Sequence, residues 1–472
     1  MAGVGHMIVT VSNNIRVLDP TPELTRWINE NLILPNPEYV KKARMGFWVG
    51  NTTQTLSLFE IHGKEWVLPF GVLRTIMPML KGSQITTAFH ETPEIDYGEA
   101  VPLYDYQAEA VDAMVKAKYG MLQSAAGSGK TQMGIAIIKR WKSPALWLCH
   151  TADLLNQSKE RAERYMDKSM LGTITEGKVH LGSGVTFATV QTMCNLDLAR
   201  YRHYWNVIIV DEAHRVSGSP TQMTRYFKVL DSLSAKHKYG LTATPNRSDG
   251  LIKATRALLG DVVYIVPDDA VADKIMKVGI KPVATQVGLS EECMNPDGTL
   301  NYTGMISYLC EDFRRTSIIA SQIVAEADHS CLILSDRLEH LESLMNRLPL
   351  DMRKKAVMIT GKMTSKKGKA EREEAIEQMR KGEKKYLFAT YSLAREGLDI
   401  PRLDRLFLAT PVKYHATVIQ SIGRIARTFE GKEAPICYDF VDNGIGYCVK
   451  AYKERCRHYR KARAYFVGGE NG

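Results

Sequence analysis

From Val101 onward, strand-length apolar runs alternate with helical patterns, and this alternation restricts the fold more than any other feature of the chain. One series of runs falls at Ala145–Cys149, Val185–Ala188, Val207–Val210 and Tyr239–Leu241. A second falls at Cys331–Leu334, Tyr386–Ala389, Arg405–Leu408 and Ile436–Phe440. Runs that are apolar on both faces, with helices between them, suit a parallel sheet covered on both sides. Two series therefore predict two similar α/β lobes. The polar, turn-rich stretch from Glu291 to Asn301 reads as the link between them.

Residues 1–97 read as a small α+β module. Ile8–Val11 has strand character, and Thr21 can cap a helix with Pro22 in its first turn. Leu24, Trp27, Ile28 and Leu32 would share one face of that helix. Thr55–Ile61 is expected as one strand, with Gly63 at the turn and Trp66–Phe70 as its hairpin partner. The expected divisions are residues 1–97, 98–290 and 291–472. A length of 472 residues allows about three domains.

Lys and Arg number 62 against 52 Asp and Glu, a net charge of +10. The first 97 residues hold 8 basic and 9 acidic side chains, so the excess lies wholly beyond them. A basic excess of that kind suits a polyanion, and equally suits a soluble surface. The eight cysteines include no CxxC pair, which argues against a zinc site or a disulfide framework. No apolar run reaches the ~20 residues that span a bilayer, and no secretory pattern opens the chain. A cytoplasmic protein with no membrane partner is expected.

Three motifs carry chemistry. The first is Ser124-Ala-Ala-Gly127-Ser128-Gly129-Lys130-Thr131. Its small residues let backbone N–H groups and a following helix N-terminus face a phosphate. Lys130 would reach the β- and γ-phosphates, and the Thr131 hydroxyl would ligate Mg²⁺. The full pattern has Gly where this chain has Ser124. The second is Val207-Ile-Ile-Val210-Asp211-Glu212-Ala213-His214, an apolar strand ending in two carboxylates where α/β ligand sites lie. Asp211 can hold the Mg²⁺ shell, and Glu212 can polarise a water that attacks the γ-phosphate. The third is Gln420-Ser-Ile-Gly423-Arg424-Ile-Ala-Arg427, whose two arginines are three apart and would share a helical face. Taken singly, the second motif is more often a solvated helix start, and the third more often a solvated basic helix.

Together Lys130, Asp211, Glu212, Arg424 and Arg427 resemble the superfamily 2 helicases and translocases of the DEAH-lettered kind. Further motifs stand in that family's order: Tyr106-Gln107, His150-Thr151-Ala152-Asp153, Thr189-Val190-Gln191-Thr192, Leu241-Thr242-Ala243-Thr244-Pro245, Ile359-Thr360-Gly361-Lys362, and Ala389-Thr390 followed by Glu396-Gly397-Leu398-Asp399-Ile400-Pro401. The resemblance spans about residues 100–445. It implies two RecA-like parallel-sheet lobes in tandem, ATP as substrate and Mg²⁺ as cofactor.

The resemblance also assigns roles. Gln107 would contact adenine; Gly127, Ser128, Gly129, Lys130, Thr131, Gly397 and Asp399 would line the nucleotide. Thr131 and Asp211 would hold the metal. His214, Thr242, Thr244 and Gln420 would couple hydrolysis to movement, with Arg424 and Arg427 acting on the phosphoryl group. Thr151, Gln191, Thr192, Gly361 and Thr390 would contact the nucleic-acid backbone, each being equally a turn or capping residue. TATP with DEAH and a small N-terminal module is similar to phage UvsW-type, RecG-like and XPB-like helicases and to restriction translocases. That implies a DNA helicase acting on single-stranded, forked or branched DNA. A duplex translocase that separates no strands, an RNA helicase and an idle clamp remain open alternatives. The basic C-terminal stretch Lys450–Arg463, with Tyr447, Tyr452, Tyr459 and Tyr465 interleaved, could stack on bases or pack as a tail helix.

Overall fold

The computed structural model describes residues 7–125, 127–216, 220–243, 252–267, 270, 275–361, 363, 365–395, 398–412 and 415–468. The chain divides into two compact units, residues 1–125 with 129–270, and residues 271–472 with 126–128. The small N-terminal module belongs to the first unit rather than standing as a third.

The first unit is built on an eight-stranded sheet. Its order is Lys178–His180, Leu171–Thr175, Val185–Thr189, Ala145–Cys149, Val207–Val210, His237–Thr242, Gly120–Gln123 and Val262–Ile265. Every pairing in it is parallel except that of the edge strand Lys178–His180. The central strands Ala145–Cys149 and Val207–Val210 are buried along their whole length, which is why they read as continuous apolar runs. Gly134, in the helix Lys130–Trp141, lets that helix press onto the sheet. A Cβ at Gly134 would lie 2.6 Å from the Trp147 ring and 2.9 Å from Leu241.

The N-terminal module contributes a five-stranded sheet and the helix Pro22–Asn31, whose Thr21 side chain accepts from the Leu24 amide. Leu24 and Ile28 are buried and Trp27 packs beside them. The expected strand Thr55–Ile61 is instead broken in two. Thr55–Ser57 pairs with Ile33–Pro35, and Glu60–His62 pairs with Glu65–Pro69. Ser57 Oγ donates to the Phe59 carbonyl at 2.8 Å, bending the chain so that Leu58 enters the core. Phe59 then stacks on Trp66 with ring centroids 5.4 Å apart.

The module is welded to its lobe by buried polar contacts. Lys238 is fully buried and donates to the carbonyls of Asn13 (2.8 Å) and Leu230 (2.9 Å). Arg202 donates to Asn13 Oδ1 at 3.1 Å, and the Phe70 and Tyr119 rings meet at 4.9 Å. Burial lowers the Lys238 ammonium to about 8, against the pull of Asp231. One continuous apolar cluster holds module residues such as Val9, Ile15 and Ile76 together with Met223, Ala254 and Ala257.

The second unit carries a seven-stranded, all-parallel sheet. Its order is Ala356–Ile359, Tyr386–Thr390, Cys331–Ser335, Arg405–Leu408, Ile436–Val441, Gly279–Ala284 and Tyr465–Phe466. Gly279–Ala284 therefore joins this sheet ahead of the boundary expected at residue 291. The expected linker is also part of this unit: Cys293 is buried with Met305, Leu309, Ile445 and Cys448. Asn301 caps the helix Tyr302–Glu311.

Two buried arginine–carboxylate pairs brace the unit. Arg315 Nε lies 2.7 Å from Asp442 Oδ1, which also accepts from Thr285 at 2.5 Å. Arg455 grips Asp439 with two bonds of 2.8 Å and donates to the Val412 carbonyl at 2.9 Å, while the Tyr459 hydroxyl donates to Asp439 at 2.7 Å. The C-terminal helix Gly446–Lys461 thus turns Arg455 and Tyr459 inward. Lys450, Lys453, Arg457, Arg460 and Lys461 stay exposed on its outer side.

Arg455→Met should lower stability by about 3–5 kcal/mol, because it leaves Asp439 buried without its counter-charge. Arg457→Ala, two residues on and on the exposed side of the helix, should change stability by less than about 1 kcal/mol. Denaturant unfolding of the two variants checks the contrast; equal losses would contradict it.

Candidate nucleotide and coupling site

Register decides which residues meet. Gln123 is level with Thr242, Gly240 with Val210, Val210 with Leu148, and Cys149 with Thr189. Because these strands are parallel, the segments that follow them leave the sheet at one edge. Those segments are the glycine loop, Asp211–His214, His150–Thr151 and Val190–Thr192.

The glycine loop ends at Gly129, which caps the helix Lys130–Trp141. Gly127 and Gly129 have φ of +88° and +84°, the left-handed region that glycine enters without strain. A Cβ on Gly129 would overlap the Gln107 side-chain nitrogen. Gln107 is buried, accepts from the Tyr104 amide at 3.1 Å and donates to the Tyr106 hydroxyl at 3.4 Å. The Lys130 ammonium folds back to the carbonyls of Ser124 (3.3 Å) and Ala125 (3.5 Å). Thr131 follows in the first turn, so the ammonium, the hydroxyl and the helix N-terminus all belong to the loop. Ser124 in place of glycine has a simple account: its φ is not positive, and its amide donates to the Thr242 carbonyl at 2.9 Å.

The carboxylates stand beside it. Asp211 is buried, accepting from Ser158 Oγ at 3.3 Å and from the Glu212 amide at 2.9 Å. Burial first, then the Glu212 charge, raises its pKa to about 6, and Lys130 pulls the other way. A buried carboxyl held up in this way is relieved by a cation. Asp211 with the Thr131 hydroxyl offers the hard oxygen ligands that Mg²⁺ prefers when most other ligands are water and phosphate. Among the described residues no larger His, Cys, Asp and Glu cluster could hold a metal. Glu212 has a φ of +48°, a strained conformation for a residue with a side chain. Its Oε2 lies 3.3 Å from His214 Nδ1, which is 3.2 Å from Thr242 Oγ1. Thr242 therefore touches His214 through its side chain and the glycine loop through its carbonyl.

Thr151 caps the helix Ala152–Ala162, accepting from the Leu154 amide at 3.3 Å. Gln191 donates to the His150 carbonyl at 2.8 Å, and Thr189 donates to Thr192 at 3.0 Å. All three expected backbone contacts are thus partly exposed, adjacent and internally bonded. In the second unit Thr390 ends the strand Tyr386–Thr390 and Gly361 lies just beyond the neighbouring strand Ala356–Ile359, with Ile359 and Ala389 level. Gly361 is exposed, and Thr390 Oγ1 is 2.9 Å from Ser392 Oγ.

The arginine expectation needs correction. The helix His415–Ile425 includes Arg424 but stops before Arg427, which bridges to Ile275 instead, so the two do not share a helical face. Lys432 takes the place of a further helical turn, donating to the carbonyls of Ile425 and Arg427 (both 2.7 Å) and Pro401 (3.0 Å). The arginines nevertheless converge. Arg424 donates to the Leu398 carbonyl at 3.2 Å, and Arg427 forms an ion pair with Asp399. Gln420 is buried on the same helix. Thr244 and Gly397 lie outside the described residues. Sequence reasoning missed Ser158 and Lys432, and neither sits in a motif that would have flagged it.

With this geometry in place, comparison with known proteins adds the following. Residues 100–247 match the family model described as type III restriction enzyme, res subunit, and residues 315–429 match that of the helicase conserved C-terminal domain. The chain is 28% identical over 366 residues to the DNA 3'-5' translocase XPB2 of Sulfurisphaera tokodaii, covering 71% of this chain and 81% of that protein. It is 23% identical over 319 residues to "Probable helicase D10" of Escherichia phage T5, covering 67% of this chain and 66% of that protein. Among solved structures, Saccharomyces cerevisiae Dbp5 bound to RNA and ADP BeF3 aligns at a TM-score of 0.56 and 16% identity. That alignment covers 85% of this chain and 94% of the other, and shows the tandem-lobe fold.

Gly129→Ala should weaken ATP binding at least about 10-fold, since the left-handed backbone costs ~1–2 kcal/mol and the new methyl displaces Gln107. Gly361→Ala, with nothing within 4 Å of its added Cβ, should bind ATP normally. Titration with a fluorescent ATP analogue separates them.

Proposed function

We propose that this chain, an ATP-hydrolysing helicase enzyme that resembles the superfamily 2 helicases of the XPB kind, moves along DNA and unwinds or remodels forked or branched DNA. The observation that carries the motor reading is the link from Glu212 through His214 to Thr242 and on to the glycine loop. It gives the carboxylate at the reacting phosphate a bonded route to neighbouring segments of the same sheet edge. The DNA reading draws on the named activity of the translocase relative and on the basic excess beyond residue 97.

In this reading the backbone of Gly127–Gly129 cradles the phosphates and Gln107 reads the adenine. Lys130 neutralises the β- and γ-oxygens. Mg²⁺ held by Thr131 and Asp211 would supply charge neutralisation on the same oxygens. Glu212 orients the attacking water and takes up its proton. Arg424 and Arg427 stabilise charge on the transferred phosphoryl group, Arg427 exchanging its Asp399 partner for it, while Asp399 turns to the ribose. Gln420 and Thr244 join His214 and Thr242 in coupling. Thr151, Gln191 and Thr192 on one lobe, and Gly361 and Thr390 on the other, hold phosphodiester backbone. Such contacts carry little sequence information and weaken steeply with salt.

Glu212→Gln should bind ATP and DNA normally and hydrolyse at least about 100-fold more slowly, the usual weight of a general base. Near-normal turnover would remove Glu212 from that role. Hydrolysis measured without polynucleotide and with single-stranded DNA, duplex DNA, a branched junction and single-stranded RNA tests the substrate. The junction should stimulate most. Stimulation by duplex without strand separation would favour a translocase, and stimulation by RNA alone an RNA helicase.

A further inference from the structure

The N-terminal module exposes two adjacent aromatic rings. Trp48 is 88% exposed and Phe47 is 64% exposed, values seldom met in a packed α+β module. They sit on the loop that leaves the helix Pro37–Arg44. No part of the nucleotide chemistry uses them.

This loop is built, not frayed. At its base the Asn36 side chain caps the helix through the Glu38 amide and donates to the Thr53 carbonyl at 2.9 Å. Lys42 Nζ reaches Thr52 Oγ1 and Glu38, both at 2.9 Å. The Phe47 amide donates to the Lys42 carbonyl at 2.9 Å, and the Thr52 amide to the Val49 carbonyl at 3.0 Å. Gly46 and Gly50 turn the chain with φ of +67° and +53°. Gly50 also makes room for the Trp48 ring, since a Cβ there would stand 3.1 Å from it. Below the loop, Leu34 and Leu58 on and beside the paired strands Ile33–Pro35 and Thr55–Ser57 are buried. Rings fixed on such a base are presented to solvent at low entropic cost.

Their surroundings identify the partner. Between residues 39 and 59 the chain carries Lys41, Lys42 and Arg44 and no acidic residue, inside a module whose first 97 residues are acidic overall. Lys41 and Arg44 are exposed and form no ion pair among the described residues. Flat aromatic faces beside unneutralised cations match the two surfaces of a single nucleic-acid strand, its bases and its phosphates. Val40 and Met45, close by in the chain, are exposed as well, but every charge between residues 39 and 59 is positive, which suits a polyanion.

We propose that Phe47 and Trp48 form a base-stacking tip that engages unpaired bases of the nucleic acid, with Lys41 and Arg44 on the flanking phosphates. The proposal rests on the motor reading and adds where the small module touches the strand. Stacking of this kind tolerates any base, so the tip reads exposure of bases and not their identity.

The test uses the full chain, fluorescently labelled oligothymidylate, and a blunt duplex of the same length. Phe47→Ala with Trp48→Ala should weaken oligothymidylate binding about 10- to 100-fold, the weight of one or two lost stacks. Blunt-duplex binding should change less than about twofold by the same reasoning. Trp48→Phe retains a stacking ring and should restore most of the affinity. Binding of oligothymidylate should quench tryptophan fluorescence more in the wild type than in Trp48→Ala. Unchanged affinity and unchanged quenching in the alanine variants would overturn the proposal. So would a double variant that loses only self-association in sedimentation, which would make the tip a contact between copies. A wild-type chain that binds no polynucleotide would overturn the motor reading itself, a result distinct from either.

Discussion

The functional chemistry of the first lobe depends on the level pairing of three parallel strands, Gly120–Gln123, His237–Thr242 and Val207–Val210. Parallel strands end at the same edge, so whatever follows them is brought into one place. Here that is a phosphate loop, a threonine and a pair of carboxylates. A one-residue slip of the middle strand would turn Thr242 to the opposite face and break its side-chain contact with His214. The burial of these strands on both faces opposes such a slip. The packing of Gly134 against Trp147 and Leu241 keeps the helix behind the loop close to the sheet.

The same edge is expensive to build. Asp211 is buried against a neighbouring carboxylate, and Glu212 sits in a backbone conformation that side chains avoid. Neither arrangement favours folding. Both leave carboxylates poised for a cation and a phosphate, whose arrival would relieve the repulsion. The second unit offsets its buried charges instead. Asp439 and Asp442 are each met by an arginine with further hydrogen bonds, so these pairs brace the fold and are not part of the chemistry. Two kinds of buried carboxylate therefore coexist, one left under-compensated and one fully paired.

The C-terminal helix shows how the fold decides between two readings that the sequence leaves open. Read along the chain, the seven basic residues of Lys450–Arg463 and the interleaved tyrosines suit either a surface for stacking on bases or a tail helix packed on its lobe. In the fold Arg455 and Tyr459 face inward onto Asp439, whereas Phe47 and Trp48, at the other end of the chain, are strongly exposed. A basic or aromatic residue announces its chemistry but not its direction. Direction depends on which buried partner is within reach.

What the sequence by itself determined was local chemistry and order. The glycine loop, the Asp211–Glu212 pair and the eight apolar runs are legible because phosphate binding and two-sided burial each demand particular residue types at short spacing. The tandem α/β lobes follow from the same runs. Tertiary structure decided what spacing along the chain cannot encode. The strand Gly279–Ala284 joins the second sheet because its partner Ile436–Val441 lies more than 150 residues away. The helix carrying Arg424 stops at Ile425, and Lys432 caps the carbonyls there, so Arg427 turns to Asp399. The N-terminal module became part of its lobe because Lys238, a charge on a buried strand, finds its acceptors at Asn13 and Leu230. In each case the deciding partner is distant or outside any motif, and only the folded chain brings it within hydrogen-bonding distance.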